Sequence, residues 1–372
     1  MLLNIIVIIV TVSYLFVIIS FIAGWSNIKV VGEGSQSPFP VFMSVIIAAR
    51  NEEHNIINTL NSISSQTLNE KYFEVLIIDD FSSDNTSSLV KQFCDEHANF
   101  QLIKLSEHKG KKYALNYGIK KAKAELIVTT DADCEFYSKW LQIINNYYVN
   151  NYVEMIIGPV LFKSRNSFEH MQALDFFSLM VSGAAATGIN KPIMNNGANL
   201  AFSKKTYLKF TDATLKKVSS GDDVFLLLKM KEKFPEKIHF LKSRNAIVYT
   251  KAQKTLSGFI NQRKRWASKS KHYNDFDIIY TAFAVLMINI LMFSTFIASI
   301  LSVRLLFLFA FMFIVKSVFD FIFLFKTTRF FQQQFLLKYF LLTQLANIFF
   351  IPLLAFAGLF TNTSWKGKIV SK

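Results

Sequence analysis

Val128-Thr129-Thr130-Asp131-Ala132-Asp133-Cys134 is a β-branched run that stops on two aspartates two residues apart. On a strand, residues i and i+2 project from one face. This strand end would therefore present two hard carboxylate oxygens to one point. Mg2+ and Mn2+ take such oxygens, and Mg2+ usually shares them with substrate phosphates. The same spacing also occurs in solvated turns, so its weight rests on what stands before and after it.

Upstream, Val41 to Ala49 reads as a short apolar strand and Glu52 to Ser65 as a helix with Ile56, Ile57, Leu60 and Ile63 on one face. Phe73 to Ile78 reads as a second strand that stops at Asp79-Asp80, and Thr86 to Glu96 as a helix. Leu102 to Leu105 gives a third strand, Lys111 to Lys123 a helix, and Glu125 to Thr130 the fourth strand. Strands alternating with helices imply crossover units and a mostly parallel sheet, an α/β fold. Ligands of such sheets sit beyond the carboxyl ends of the strands. Asp79, Asp80, Asp131 and Asp133 all fall at such ends, and that coincidence carries the argument.

Further motifs have two readings each. Asp79-Asp80 precedes a Ser/Asp/Asn-rich turn, where Asp84 reads as a helix cap, yet two adjacent acids closing an apolar strand exceed what capping needs. Lys109-Gly110-Lys111-Lys112 precedes a helix, where a lysine and free backbone N–H groups can hold a diphosphate; a solvated basic turn is the alternative. Asn195 to Leu200 is a polar stretch that reads equally as a plain loop. Ser219 to Leu226 puts Asp222 and Asp223 at a helix N-terminus, where the dipole favours anions and capping explains one acid. Gln262-Arg263-Lys264-Arg265-Trp266 is a basic segment that would also suit lipid headgroups.

The chain has 372 residues, 52% of them hydrophobic, 39 Phe and a formal charge of +15. Length suggests two or three domains. Apolar residues concentrate at the two ends: residues 1–25 are almost unbroken apolar sequence, and 278–360 are similar. The first run meets the roughly 20 residues a membrane helix needs, and lacks the basic start of a cleaved signal, so a retained anchor is expected. Spans are expected near 278–300, 304–325 and 335–360, the last interrupted by Asn347 and Pro352 and so re-entrant or interfacial. The basic loop Lys326 to Arg329 and the tail lysines Lys366, Lys368 and Lys372 argue for the inside face. Lys316 and Asp320, four apart in one span, would neutralise each other. The excess positive charge fits this membrane signature, and no nucleic-acid motif appears. Cys94 and Cys134 form no framework or metal pattern, which suits a reducing compartment. Val31 to Pro40 is a linker, and its G-x-G precedes a strand, so it is not a nucleotide loop.

Taken in order, these residues resemble the membrane-bound family 2 glycosyltransferases. The matches are Ala48 to Glu52, Asp79-Asp80, Lys111 with Ala114-Leu115-Asn116, Asp131-Ala132-Asp133, Gly197-Ala198-Asn199, Gly221-Asp222-Asp223 and Gln262 to Trp266. They cover about residues 43–266. The resemblance implies a GT-A fold, a nucleotide-sugar donor and an inverting transfer. By position it implies that Asp80, beside Asp79, holds a uracil-type base, with Ala48, Arg50 and Glu52 near the nucleoside. Lys111 would approach the diphosphate, and Asp133 with Asp131 would hold Mg2+ or Mn2+. Asp223, with Asp222, would be the general base for the acceptor. Gln262, Arg265 and Trp266 would close over the diphosphate and acceptor mouth, with Gly197 and Asn199 lining the acceptor side. Ala48 stands where relatives often have Pro, and Asn196-Gly197 where they often have Cys. Trp365-Lys366-Gly367-Lys368 resembles a tail element of lipid-modifying relatives.

The resulting expectation is a hexosyltransferase-type enzyme of a bacterial-type inner or plasma membrane. Residues 1–25 would be its anchor, 41–270 a cytoplasmic GT-A domain and 276–362 a membrane or interfacial region. Its partners would be a nucleotide sugar (a UDP-sugar above others), the bilayer and a membrane-lipid or lipid-linked glycan acceptor, with no nucleic acid. A processive polysaccharide synthase is the alternative, although three C-terminal segments look few for a channel. An inactive scaffold would have no need of the site acids, and a transporter would need charged or broken spans.

Overall fold

A computed structural model describes residues 1–32, 37, 39–214, 222–269, 273–360, 363–365 and 368–370. In chain order, helix α1 (Leu2–Asn27) precedes β1 (Met43–Ala49), α2 (Ile56–Ser64), β2 (Phe73–Asp79), α3 (Thr86–Glu96), β3 (Phe100–Lys104), α4 (Lys111–Lys121) and β4 (Leu126–Asp131). Next come β5 (Glu135–Phe136), α5 (Trp140–Asn150), β6 (Met155–Ile157), β7 (Val160–Lys163) and the long α6 (Ser167–Thr187). β8 (Leu200–Ser203), α7 (Lys204–Thr214), α8 (Asp222–Lys231), β9 (Ile238–Phe240), β10 (Val248–Lys251) and α9 (Leu256–Lys269) follow. The last third holds α10 (Phe276–Ala298), α11 (Val303–Phe331), α12 (Phe340–Phe360) and a short hairpin of β11 (Thr363–Trp365) and β12 (Lys368–Val370). Gly34, Ser35 and Pro38 of the linker, Ser219 to Gly221, and Lys366, Gly367 and Lys372 of the tail lie outside the described residues, as does the side chain of Asp222.

The chain divides into two compact units. One comprises Ile28–Lys163 and Pro192–Lys251, the other Met1–Asn27, Ser164–Lys191 and Ala252–Lys372. α6 and α9, both within the 41–270 range, thus cluster with the long apolar helices.

The first unit is built on a seven-stranded sheet in the order β3-β2-β1-β4-β8-β6-β9. All pairings are parallel except those of β8 with β4 and β6. β2 is buried throughout and β1 nearly so, which is why both read as continuous apolar runs and not as alternating ones. α2 buries Ile56, Leu60 and Ile63. It begins four residues later than its periodicity suggests; ahead of it, the N–H groups of Glu52 and Glu53 donate to Thr86 Oγ1 at 2.8 Å and Asp84 Oδ2 at 3.1 Å. Asp84 also accepts from Thr86 N and Oγ1 at 3.0 and 2.6 Å, the capping role its position implies. Burial works against the Asp84 carboxylate, but these hydrogen bonds outweigh it and hold its pKa below the ordinary value.

In the second unit, Leu2–Asn27, Phe276–Ala298, Val303–Phe331 and Gln334–Phe356 are each long and apolar enough to cross a membrane. α12 runs unbroken through Pro352, so the proline does not divide the last segment as its sequence suggests. Lys316 Nζ lies 2.7 Å from Asp320 Oδ2, and two further buried groups complete the pair. Tyr14 donates to Asp320 Oδ1 at 2.6 Å, and Gln344 bridges Lys316 and Asp320 at 2.6 Å each. Satisfied in this way, a charge pair is tolerable among apolar helices.

α4 lies so close to the sheet that a Cβ at Gly118 would sit 2.7 Å from Ile46 Cγ2 and 2.9 Å from Ile78 Cγ1. Gly118→Val is expected to destabilise the protein by roughly 1–3 kcal/mol through overpacking, read as a lower melting temperature in detergent.

Candidate active site

The chain leaves β1 toward β2 on one side and later returns as β4 on the other, which makes the carboxyl ends of these strands a topological switch point. Ala48 is level with Asp131 of β4, and Ala49 with Asp79 of β2. Small residues on the central strand thus stand between the acids of its neighbours. Asn51 and Phe81, directly after β1 and β2, adopt left-handed backbone at φ 51° and 60°, a strain that gathers at functional sites. Arg50 Nη1 ties the two turns together by donating to the carbonyls of Asp80 and Phe81 at 2.6 and 2.9 Å.

The D-x-D pair differs from its sequence reading in one respect. Asp131 is the last residue of β4, whereas Asp133 lies in the turn between β4 and β5. The strand's two-residue period therefore does not align them; the turn does, held by Thr59 Oγ1 donating to Ala132 O at 2.9 Å. Asp133 Oδ2 accepts from Thr250 Oγ1 of β10 at 3.1 Å. Burial, then the nearby Asp131 and Glu52 carboxylates, push the Asp133 carboxyl above its ordinary pKa.

Lys111, at the start of α4, is the counter-charge. Its Nζ lies 2.5 Å from Asp131 Oδ1. Burial pulls the ammonium pKa down, but Asp131, then Asp223 and Asp133, outweigh it and hold it above the lysine value. Asp131, Asp133 and Asp223 thus act on one lysine, with Glu52 beside Asp133. These hard carboxylate oxygens fit Mg2+ or Mn2+. Among the described residues no three His, Cys, Asp or Glu side chains close into a metal cage, so such an ion would draw its remaining ligands from substrate oxygens.

Asp79 and Asp80 are buried at 4% and 1% exposure. Asp79 Oδ1 accepts from Ser82 N and Oγ at 3.2 and 2.5 Å. Asp80 takes the N–H groups of Lys109 and Gly110 at 2.8 and 2.9 Å, and His108 Nδ1 lies 2.6 Å from its Oδ2. It therefore fixes the loop that delivers Lys111, where Gly110 at φ 96° takes a backbone few other residues tolerate.

Asp223 stands at the N-terminus of α8, as its motif implies. Its Oδ2 accepts from Gly197 N at 3.2 Å, and its backbone carbonyl from Asn195 Nδ2 at 2.9 Å. Thr129 and Thr130 of β4 donate to the carbonyls of Gly197 and Ala198 at 2.8 Å each, which fixes this turn beside the D-x-D strand. Asn199 departs from its expected place on an acceptor surface. It is 1% exposed; its Oδ1 accepts from Trp140 Nε1 at 3.0 Å, and its Nδ2 donates to Pro159 O and Ala246 O at 2.9 and 2.8 Å. Both polar atoms of the side chain are hydrogen-bonded inside the protein, so the residue organises the core.

Gln262, Arg265 and Trp266 lie on α9, in the second unit. Trp266 packs 5.8 Å from Phe176 of α6. Motif reading passed over Thr250, His108 and Asp175, and took Arg263 only as part of a basic segment. The first two lie 117 and 28 residues from their carboxylate partners, and no local spacing links them.

Together these features define a GT-A-type fold: a mostly parallel sheet with acids and a lysine gathered at its switch point. Residues 44–212 match the family model for glycosyl transferase family 2. The chain is 31% identical over 139 residues to glycosyltransferase AglE of Haloferax volcanii, covering 37% of this chain and 46% of that one. It is 26% identical over 235 residues to a poly-β-1,6-N-acetyl-D-glucosamine synthase of Staphylococcus epidermidis, covering 60% and 53%. The chain thus spans about half the length of these curated relatives. A mannosyltransferase of Pyrobaculum calidifontis, solved with GDP-Man and Mn2+, shares the fold at a TM-score of 0.59 and 16% identity, over 93% of this chain and 99% of that one. Residues 44–212 are thus similar to glycosyl transferase family 2, and the fold is shared with the Pyrobaculum enzyme.

Asn199→Ala would leave Trp140 Nε1 and the carbonyls of Pro159 and Ala246 without their buried partner. At about 1–3 kcal/mol for a buried group left unsatisfied, stability is expected to fall by roughly 3 kcal/mol or more, measured as thermal unfolding in detergent.

Proposed function

We propose that the protein is an inverting, divalent-metal-dependent glycosyltransferase that moves a sugar from a nucleoside diphosphate sugar, a UDP-sugar above others, to a membrane lipid or lipid-linked glycan. The contact of Lys111 with Asp131 at the switch point, with Asp133 in the following turn and Asp223 bound to the Gly197 turn that Thr129 of β4 holds, carries this reading. The donor's nucleoside lies near Ala48, Arg50, Glu52, Asp79 and Asp80, with the exposed Phe81 ring available for the base. Lys111 meets the diphosphate. Asp133 and Asp131 hold Mg2+ or Mn2+, which when bound neutralises the charge that builds on the leaving diphosphate. Gln262, Arg265 and Trp266 act on the diphosphate and acceptor mouth.

Asp223, with Asp222 next in sequence, takes the proton from the acceptor hydroxyl. That oxygen then attacks the anomeric carbon as the diphosphate departs, which inverts the centre and needs no protein nucleophile. The hydrogen bond from Gly197 N to Asp223 Oδ2 orients the carboxylate for this step, and a positioned base contributes about 10²–10⁴-fold. Residues 1–25 serve as the anchor, 41–270 hold the catalytic residues on the cytoplasmic side of a bacterial-type inner membrane, and 276–362 form the remaining membrane region. The apolar helices support a lipid-borne acceptor. A processive polysaccharide synthase is the second reading, favoured by the Staphylococcus relative's name.

Purified protein given a panel of nucleotide sugars and total lipid extract should release nucleoside diphosphate and form a discrete glycolipid, with EDTA abolishing both. A high-molecular-weight product would move the reading to the synthase. Asp133→Ala and Asp223→Asn should each lower transfer by about 10²–10⁴-fold; full turnover in both variants would overturn the mechanism.

A further inference from the structure

α6 is patterned to hold α9, the helix that carries Gln262, Arg265 and Trp266. Phe168, Gln172, Asp175 and Phe176 follow the i, i+4, i+7, i+8 spacing of a single helix face. All four touch α9 or the segment leading into it. Phe168 packs edge-on against Phe259, with ring centroids 6.2 Å apart. Gln172 both gives and takes a hydrogen bond with the Gln253 backbone: Nε2 donates to O at 2.9 Å, and Oε1 accepts from N at 3.1 Å. Asp175 ion-pairs with the Arg263 guanidinium. Phe176 reaches Trp266.

Arg263 is central to this arrangement. Its side chain is 7% exposed, and the guanidinium lies 5.1 Å from the Phe259 ring and 4.5 Å from Trp266, about one helical turn to either side. A buried cation is tolerated only where it is paired, so α9 is restricted to the rotation and register at which Asp175 reaches it. The far end of α6 is fixed in turn. Gly24 of α1 admits it so closely that a Cβ there would lie 2.1 Å from Ala185 O. Asn27 Nδ2 also donates to Gly188 O at 3.2 Å. α6 therefore joins the motif helix to an apolar helix long enough to cross a membrane.

We propose that Asp175 and Arg263 are positioning residues that set the register of α9 and thereby the aim of Arg265 and Trp266 during transfer. This rests on the catalytic reading of those two residues; Asp175 and Arg263 act through α9 and not on substrate. A misplacement of about 1 Å at a reacting group can cost as much as 10²-fold in rate. Weakening the pair should therefore slow turnover without disturbing donor binding by Lys111 and the switch-point acids.

The test uses the full chain in detergent. Asp175→Asn keeps the side-chain volume and removes the charge. It is expected to lower kcat for sugar transfer by roughly tenfold or more, while the affinity for UDP by calorimetry stays within about twofold. Asp175→Glu should recover part of the loss. Arg265→Ala is measured beside it. Loss of turnover in Arg265→Ala together with wild-type kcat in Asp175→Asn would overturn the positioning role alone. Full turnover in Arg265→Ala would overturn the catalytic reading of the motif, and the positioning role with it. Should Asp175→Asn not fold, Asp175→Leu combined with Arg263→Met removes both charges at once. A folded double variant with wild-type kcat overturns the proposal, and one with low kcat and intact UDP binding supports it.

Discussion

The contact between Lys111 Nζ and Asp131 Oδ1 is the one on which the rest of the site depends. The ends of neighbouring parallel strands bring Asp79, Asp80 and Asp131 to one edge of the sheet, and the turn after β4 adds Asp133. Like charges so placed repel one another, and a cation among them offsets that repulsion. Lys111 is that cation, and its position follows from Asp80, whose two oxygens hold the backbone of Lys109 and Gly110. One carboxylate of the cluster thus serves to bring in the charge that the others need.

The same economy recurs in residues that motif reading treats as equals. Asp80 and Asn199 both satisfy their polar groups within the protein and fix the backbone around them. Asp131, Asp133 and Asp223 keep a more open aspect. Burial and hydrogen-bond saturation separate residues that organise a site from those able to act on a ligand.

In the second unit, charged groups follow the rule that burial requires a partner. Lys316 and Asp320 are closed off by Tyr14 and Gln344, and Arg263 by Asp175 with two aromatic rings. Both arrangements join helices distant in sequence. Each therefore fixes rotation about the helix axis, which apolar packing alone specifies weakly.

Local sequence determined the alternation of strands and helices, the apolar helices and the acids at strand ends, because periodicity and strand termination are properties of neighbouring residues. Lys316 and Asp320 were legible as a pair for the same reason, being one helical turn apart. Tertiary structure decided what depends on distant contacts. It set the late start of α2 and put Asp133 in a turn held by Thr59. It turned Asn199 inward toward Trp140, and it paired Arg263 with Asp175, 88 positions earlier in the chain. A side chain's partner across the fold leaves no trace in local spacing, and it was those partners that separated the structural residues from the candidate catalytic ones.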